Sequence, residues 1–281
     1  MKKRIATAAA LVALLAMSWN VWSFSFTGDM SEIGASARGL GLGGAFTALV
    51  DDATAVVHNP AALGQLTGVG VSSLYVRQFS GVNYGSLSLA MQSIGVTVSL
   101  LDSGVIASPQ GAFRYASQAV AISGGIPMGP VGLGVRWRYL SVSSPSAGRG
   151  WSIDPALLID IGSIHVAALF ESAYSAPMRY ESGIEEPFEP SLRVGVAATL
   201  SPAENVWWNV AFEASGLLAS RTRFAAALET WIGGLGARVG YDGDGPTFGL
   251  SIRLKWMQFD WAYAMRSDLG DSQRASLTFR F

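Results

Sequence analysis

From residue 67 onward the chain alternates apolar and polar residues one by one. In "WSIDPALLIDIG", Ile153, Leu157, Ile159 and Ile161 share one face, and Ser152, Asp154 and Asp160 share the other. In "TFGLSIRLKW", Phe248, Leu250, Ile252, Leu254 and Trp256 oppose Thr247, Ser251, Arg253 and Lys255. Successive side chains of a strand point to opposite faces, so each segment reads as a strand with one greasy and one polar side. Alternating runs between turn signals predict fourteen strands, near residues 68–78, 83–92, 94–102, 117–125, 131–142, 151–161, 164–172, 190–200, 206–215, 222–232, 235–241, 247–256, 258–266 and 273–281.

Two architectures give that alternation: a sandwich with its greasy faces inward, or a membrane barrel with them outward. The barrel is favoured first by charge. Arg136, Arg138, Asp154, Asp160, Glu171, Arg193, Glu213, Arg223, Glu229, Arg238, Arg253 and Asp260 all fall on polar faces, where they would line a wet lumen or bond to a plug. Second, the strand count is even and many strands approach the ~10 residues that a tilted spanning strand needs. Third, connections alternate between short ones, "GS" at 162–163 and "GG" at 233–234, and long ones such as "SAYSAPMRYESGIEEPFEP", the pattern of periplasmic turns and external loops. Trp137, Tyr139, Trp151, Trp208, Trp231, Tyr241, Trp256, Trp261 and Tyr263 fall towards strand ends, as in interfacial girdles.

The N-terminal part reads differently. Lys2, Lys3 and Arg4 precede an apolar run from Ile5 to Met17, with Val21 and Ser23 as small residues before a cut after Ser23, so residues 1–23 are expected to be a secretory signal peptide. In "DDATAVVHNPAALGQL", Asp51 or Asp52 can cap a short helix through His58, and Asn59 with Pro60 is the cap and first turn of a second one that Gly64 would end. Residues 24–66 are thus expected to form a small, partly helical unit ahead of the barrel at 67–281, filling a lumen that would otherwise stand open. Asp51, Asp52 and Arg38 are expected to bond to lumen-facing charges.

Composition narrows the chemistry. A net charge of -1 over 281 residues offers no footprint for nucleic acid. With no cysteine there is neither a disulfide framework nor a thiolate metal site, and two histidines leave little for other metals. Phosphate loops and redox motifs are absent, so no cofactor is expected. His58 sits beside the Asn59 cap and His165 at a strand start, and neither has the neighbours of a catalytic base, so the chain does not read as an enzyme.

"GASARGLGLGGAFTALVDDATAVVHNPAAL" resembles the N-terminal hatch signature of the FadL-like outer-membrane family, including its PorV/PorQ-type branch. "AAALETWIGGLGARVGY" and "FDWAYAMRSDLGDSQRASLTFRF" are similar to the PorV type as well. The resemblance implies an all-β fold, a 14-stranded antiparallel barrel with an N-terminal hatch, in the outer membrane of a diderm bacterium. It implies passive uptake of hydrophobic molecules, fatty-acid-like or aromatic, that leave through a gap in the wall. In PorV-type members it implies instead an accessory role beside secretion-system components. A gap would lie where pairing is weak, and Gly95, Gly104 and Pro109 are the candidates. Leu277, Phe279 and Phe281 are similar to the terminal signal read by the barrel-assembly machinery, which is expected as a partner together with outer-membrane lipid.

Overall fold

The computed structural model describes residues 33–78, 82–108, 111–144, 146–265 and 271–281. The expected signal peptide, residues 24–32 and Pro109 lie outside them. One antiparallel sheet dominates. β1 (Val69–Gln78), β2 (Val82–Met91), β3 (Ile94–Ser108), β4 (Gly111–Met128), β5 (Val131–Ser144) and β6 (Gly148–Ile161) form a meander, followed by β7 (Ile164–Glu171), β8 (Tyr174–Tyr180) and the short β9 (Glu185–Glu186). The second half comprises β10 (Ser191–Ala203), β11 (Val206–Leu217), β12 (Arg223–Ile232), β13 (Leu235–Tyr241), β14 (Pro246–Arg253), β15 (Met257–Ala264) and β16 (Ser272–Arg280).

The sheet closes on itself, because β1 pairs with β16 from Gly70↔Arg280 to Val76↔Arg274 while β5 pairs with β6. β7 and β8 share one position in the wall, since both pair with β6, and β9 pairs only with β8. The wall therefore has fourteen strands, each at a place where alternation predicts one.

The faces are inverted relative to a soluble protein. Leu87, Leu89, Leu133, Phe212, Leu228, Leu250 and Ile252 are exposed on the outside, while Ser86, Ser88, Arg136, Glu213, Glu229 and Ser251 are buried inside. Such an outer face is stable only against lipid, and closure satisfies the backbone groups that lipid cannot. At one end the connections shrink to residues 92–93, 129–130, 162–163, 204–205 and 233–234, each with one positive φ, at Ser93, Gly129, Gly162, Asn205 and Gly233. By the outer-membrane pattern this end is periplasmic and the opposite end, with its longer connections, external.

Residues 33–66 add no strand and lie against the inward face. They contain α1 (Ala37–Gly41), α2 (Ala55–His58) and a 3-10 helix, Pro60–Gln65. Leu42, Phe46, Val56 and Leu63 are fully buried in a cluster with Ala90, Ala121, Ala156, Ala167, Ala197, Ala211 and Ala227, contributed by β2, β4, β6, β7, β10, β11 and β12. The small inward alanines leave the space that these larger side chains occupy. Each Leu or Phe so buried contributes about 1.5–3 kcal/mol over an exposed one.

Two features differ from the sequence reading. β3 and β4 run on beyond residues 102 and 117 as a paired hairpin, with a register shift between Asp102 and Val105. Trp231 is not in a girdle: it is 2% exposed and points inward, because Glu229 and Trp231 share the lumen face of β12.

Candidate functional site in the barrel lumen

Two ionic clusters tie residues 33–66 to the wall. On the β12–β15 side Arg38 makes a two-pronged bond to Glu229, from Nε to Oε1 at 2.9 Å and from Nη2 to Oε2 at 2.7 Å. Its Nη1 reaches Asp51 at 2.7 Å. Glu229 also accepts from Asn209 at 2.7 Å and pairs with Arg238 at 3.2 Å, and Arg238 continues to Asp260 at 3.3 Å. Arg38 and Glu229 are 3% and 0% exposed, a burial tolerable only because nearly every donor and lone pair is matched. Asp51 also meets Arg280 at 3.4 Å, whereas Asp52 accepts from the Thr54 backbone N–H at 2.8 Å and its hydroxyl, a local turn bond rather than a wall contact.

The second cluster sits on β5, β6, β7, β10 and β11. Glu213 Oε2 accepts the backbone N–H groups of Phe46 and Thr47 at 3.1 and 2.9 Å. Its other oxygen meets Arg193 at 3.3 Å, and Arg193 reaches Glu171 at 3.4 Å. Glu171 in turn holds Arg136 at 3.2 Å, and Arg136 binds Asp154 at 2.7 Å and donates to the carbonyl of Val57 in α2. Asp154 accepts the N–H of Ser172 at 2.6 Å and lies 3.6 Å from Arg138, which donates to Ser152 and Ser172. Ser172 has a φ of 54° and marks the break between β7 and β8. Above it β8 no longer pairs with β10, whose ladder to the seventh strand stops at Ser191↔Glu171.

Asn59, wholly buried, joins two turns: Oδ1 accepts from Ala61 N–H at 3.1 Å, capping the helix that Pro60 begins, and Nδ2 donates to the Thr47 carbonyl at 3.0 Å. That helix continues through Gly64 to Gln65.

Above this unit, towards the external end, is a cavity of about 500 Å³. α1 and His58 form its floor, and β7, β10, β11 and β12 its wall. Phe188 and Glu189, just ahead of β10, also line it: Phe188 packs on Leu140, Val142 and Met178, and Glu189 accepts from the Ser220 hydroxyl at 3.2 Å. The lining is not apolar: Glu171, Arg193, Glu213, Arg223 and Asp242 stand beside Ile33, Leu40 and Phe188. Burial pushes His58 down to about 3, with Arg193 and Arg136 adding to the effect, so its ring is neutral.

The remaining residues singled out in the sequence are dispersed. Asp160 lies near the periplasmic rim, bonded to His165 and Gln65. Arg253 stacks over Trp231 at 4.1 Å and bonds Gln258 at 2.7 Å. Leu277 and Phe279 lie on the outer face of β16, and the Phe281 backbone closes the seam with Val69 at 2.9 and 3.0 Å. Gly95 stands in an unbroken ladder, facing Ala90 and Ser123, so its backbone pairing is intact. Its missing side chain makes room for Val56, which a Cβ would meet at 2.4 Å. Gly104 lies at the register shift in β3, outside the run of continuous pairing.

Gly95 has companions that the sequence reading passed over. A Cβ on Gly125, Gly132 or Gly134 would lie 2.3, 2.8 and 2.3 Å from backbone atoms of Pro60 or Ala61. These glycines line a track on β3, β4 and β5 that admits the Val56 side chain at Gly95 and lets residues 60–64 approach the wall by their own backbone. The visible signal was "GGIPMGPVGLG", glycine recurring at the inward positions of two adjacent strands.

No protein-family model and no curated protein matches the chain. Among solved structures it is similar to the CymD monoaromatic hydrocarbon channel, with a TM-score of 0.58 and 14% identity over 89% of this chain and 98% of that one. It is similar to the toluene transporter TodX of P. putida (0.56, 12%, 90% and 99%) and to a Pseudomonas aeruginosa FadL homologue (0.51, 9%, 88% and 98%). Such identities bear on fold alone: the chain shares the barrel fold of these three proteins.

Proposed function

We propose that the protein is an outer-membrane channel for the passive uptake of small hydrophobic molecules, with residues 24–66 as its hatch. The observation that carries this reading is the stacking of a cavity of about 500 Å³, on the external side, over a unit bonded to the wall through Glu213, Arg136 and Glu229. A solute that enters from outside reaches the cavity and must then displace the hatch or leave through the wall. The break at Ser172, beside the cavity, is the wall position best suited to lateral exit, because pairing to β10 ends there. The likeness to hydrocarbon channels supports the same solute class. The test is entry of ethylbenzene into lipopolysaccharide-coated cells that lack their own hydrocarbon channels. Expression of the protein should speed entry, and Ala219→Trp, which fills the cavity from a loop, should abolish the gain. A correctly assembled barrel that gives no gain would overturn the reading and favour the accessory role in protein secretion.

A further inference from the structure

The cavity lining holds charges of both signs in a way that selects among hydrophobic ligands. Arg193 differs from the other lumen arginines. Arg38 and Arg136 are 3% and 1% exposed and hold carboxylates at 2.7 Å, whereas Arg193 is 19% exposed and its two pairs are stretched to 3.3 and 3.4 Å. It is the guanidinium of this chain of ion pairs that a molecule in the cavity can reach. Its partners cannot be left alone: Glu213 and Glu171 are 3% and 11% exposed, and Glu213 is fixed in place by the backbone of Phe46 and Thr47.

Each ligand class then meets a different fate. A hydrocarbon takes water from the charged lining and returns nothing. An organic anion that captures Arg193 leaves Glu213 with only its two backbone N–H bonds and Glu171 with Arg136 alone, and a cation that captures one carboxylate leaves Arg193 with only the other; taking a partner from a buried charge is the costly case. A ligand with both signs inserts into the pair and leaves no charge unmatched. Ile33, Leu40 and Phe188 offer the adjoining apolar surface.

We infer that the cavity binds small zwitterions carrying an apolar group, of the size of an aromatic amino acid, with the anionic end on Arg193 and the cationic end on Glu171 or Glu213. This rests on the reading that the cavity lies on the solute path, and narrows that path's solute class. The test is equilibrium binding to the full chain in an uncharged detergent, followed by calorimetry, with four probes that share one ring: L-phenylalanine, 3-phenylpropanoate, 2-phenylethylamine and ethylbenzene. L-phenylalanine should bind about ten-fold tighter than either single-charge probe, the scale expected when a buried charge keeps its partner. Arg193→Gln should erase that preference, and Ala219→Trp should abolish binding of all four while the barrel still shifts on an unheated gel. Equal binding of L-phenylalanine and 3-phenylpropanoate, stronger binding of ethylbenzene, or a preference that survives Arg193→Gln would overturn the inference. Ethylbenzene entry into cells without this preference sinks the zwitterion site alone; zwitterion binding without ethylbenzene entry sinks the hydrocarbon-uptake reading alone.

Discussion

One amide holds two turns of the lumen unit together. Asn59 caps the helix at Pro60 and also donates to Thr47, so its loss strands a buried N–H and a buried carbonyl. A cap alone is worth about 1 kcal/mol, but each buried group left unpaired costs roughly 1–3 kcal/mol. Asn59→Ala should therefore produce a strong, fluctuating leak in planar bilayers. Asn59→Asp, which keeps the acceptor for Ala61 and loses the donor to Thr47, should leak at an intermediate level; equal behaviour of the two would show that the cap on Ala61 does not matter. The glycine track makes a second prediction. Gly134→Ala places a methyl 2.3 Å from the Ala61 nitrogen, backbone against backbone, so the helix must shift and the leak should rise. Gly85→Ala, whose nearest contact would be 3.8 Å away, should leave the bilayer silent. The Asn-Pro cap was legible in the sequence because its partners are neighbours along the chain. The reason for Gly134 was not, because Ala61 reaches it only through the closed wall, and a glycine records nothing about which face it serves.

Elements were legible to the degree that their two faces meet different solvents. All fourteen wall strands show alternation because one side meets lipid and the other the lumen, and that contrast fades at strand ends. β3 and β4 illustrate the failure. Beyond Asp102 the hairpin rises out of the barrel, Val105 is 78% exposed and Phe113 41%, and with water on both faces the sequence loses its period. A ladder without alternation reads as an irregular loop, which is how Gly104 came to look like a weakness in the wall. The break at Ser172 was hidden for the opposite reason: β7 and β8 keep good strand composition on both sides of a single left-handed residue. If the hairpin is an external extension, it adds nothing to the membrane-spanning ladder. Replacing residues 104–113 by Asn-Gly should then leave the unheated gel shift and detergent resistance unchanged, because pairing from Ile94↔Gly124 to Asp102↔Ala116 is kept. Loss of the folded band would show that the extension is needed for closure.

At the scale of the whole molecule, wall and lumen unit draw on different forces. The wall is held by a closed ring of ladders from β1 to β16, and residues 33–66 contribute no strand to it. The lumen unit is held by apolar filling against inward alanines and by bonds to Glu229, Glu213 and Arg136. Removing the unit takes a partner from each of those groups, which would be ruinous in a dry core. In a barrel the vacated space fills with water, and hydration replaces the lost bonds. Deleting residues 33–60 while keeping every strand should accordingly leave a barrel that still shifts on an unheated gel. In planar bilayers that barrel should pass a large, steady current, whereas the intact protein passes little or none. The contrast between Asn59→Ala, which loosens the unit, and the deletion, which removes it, should appear as flicker against a constant open level. If intact and deleted proteins conduct alike, residues 33–66 do not close the lumen, and solute has an open axial path that makes passage beside a hatch or through the break at Ser172 unnecessary.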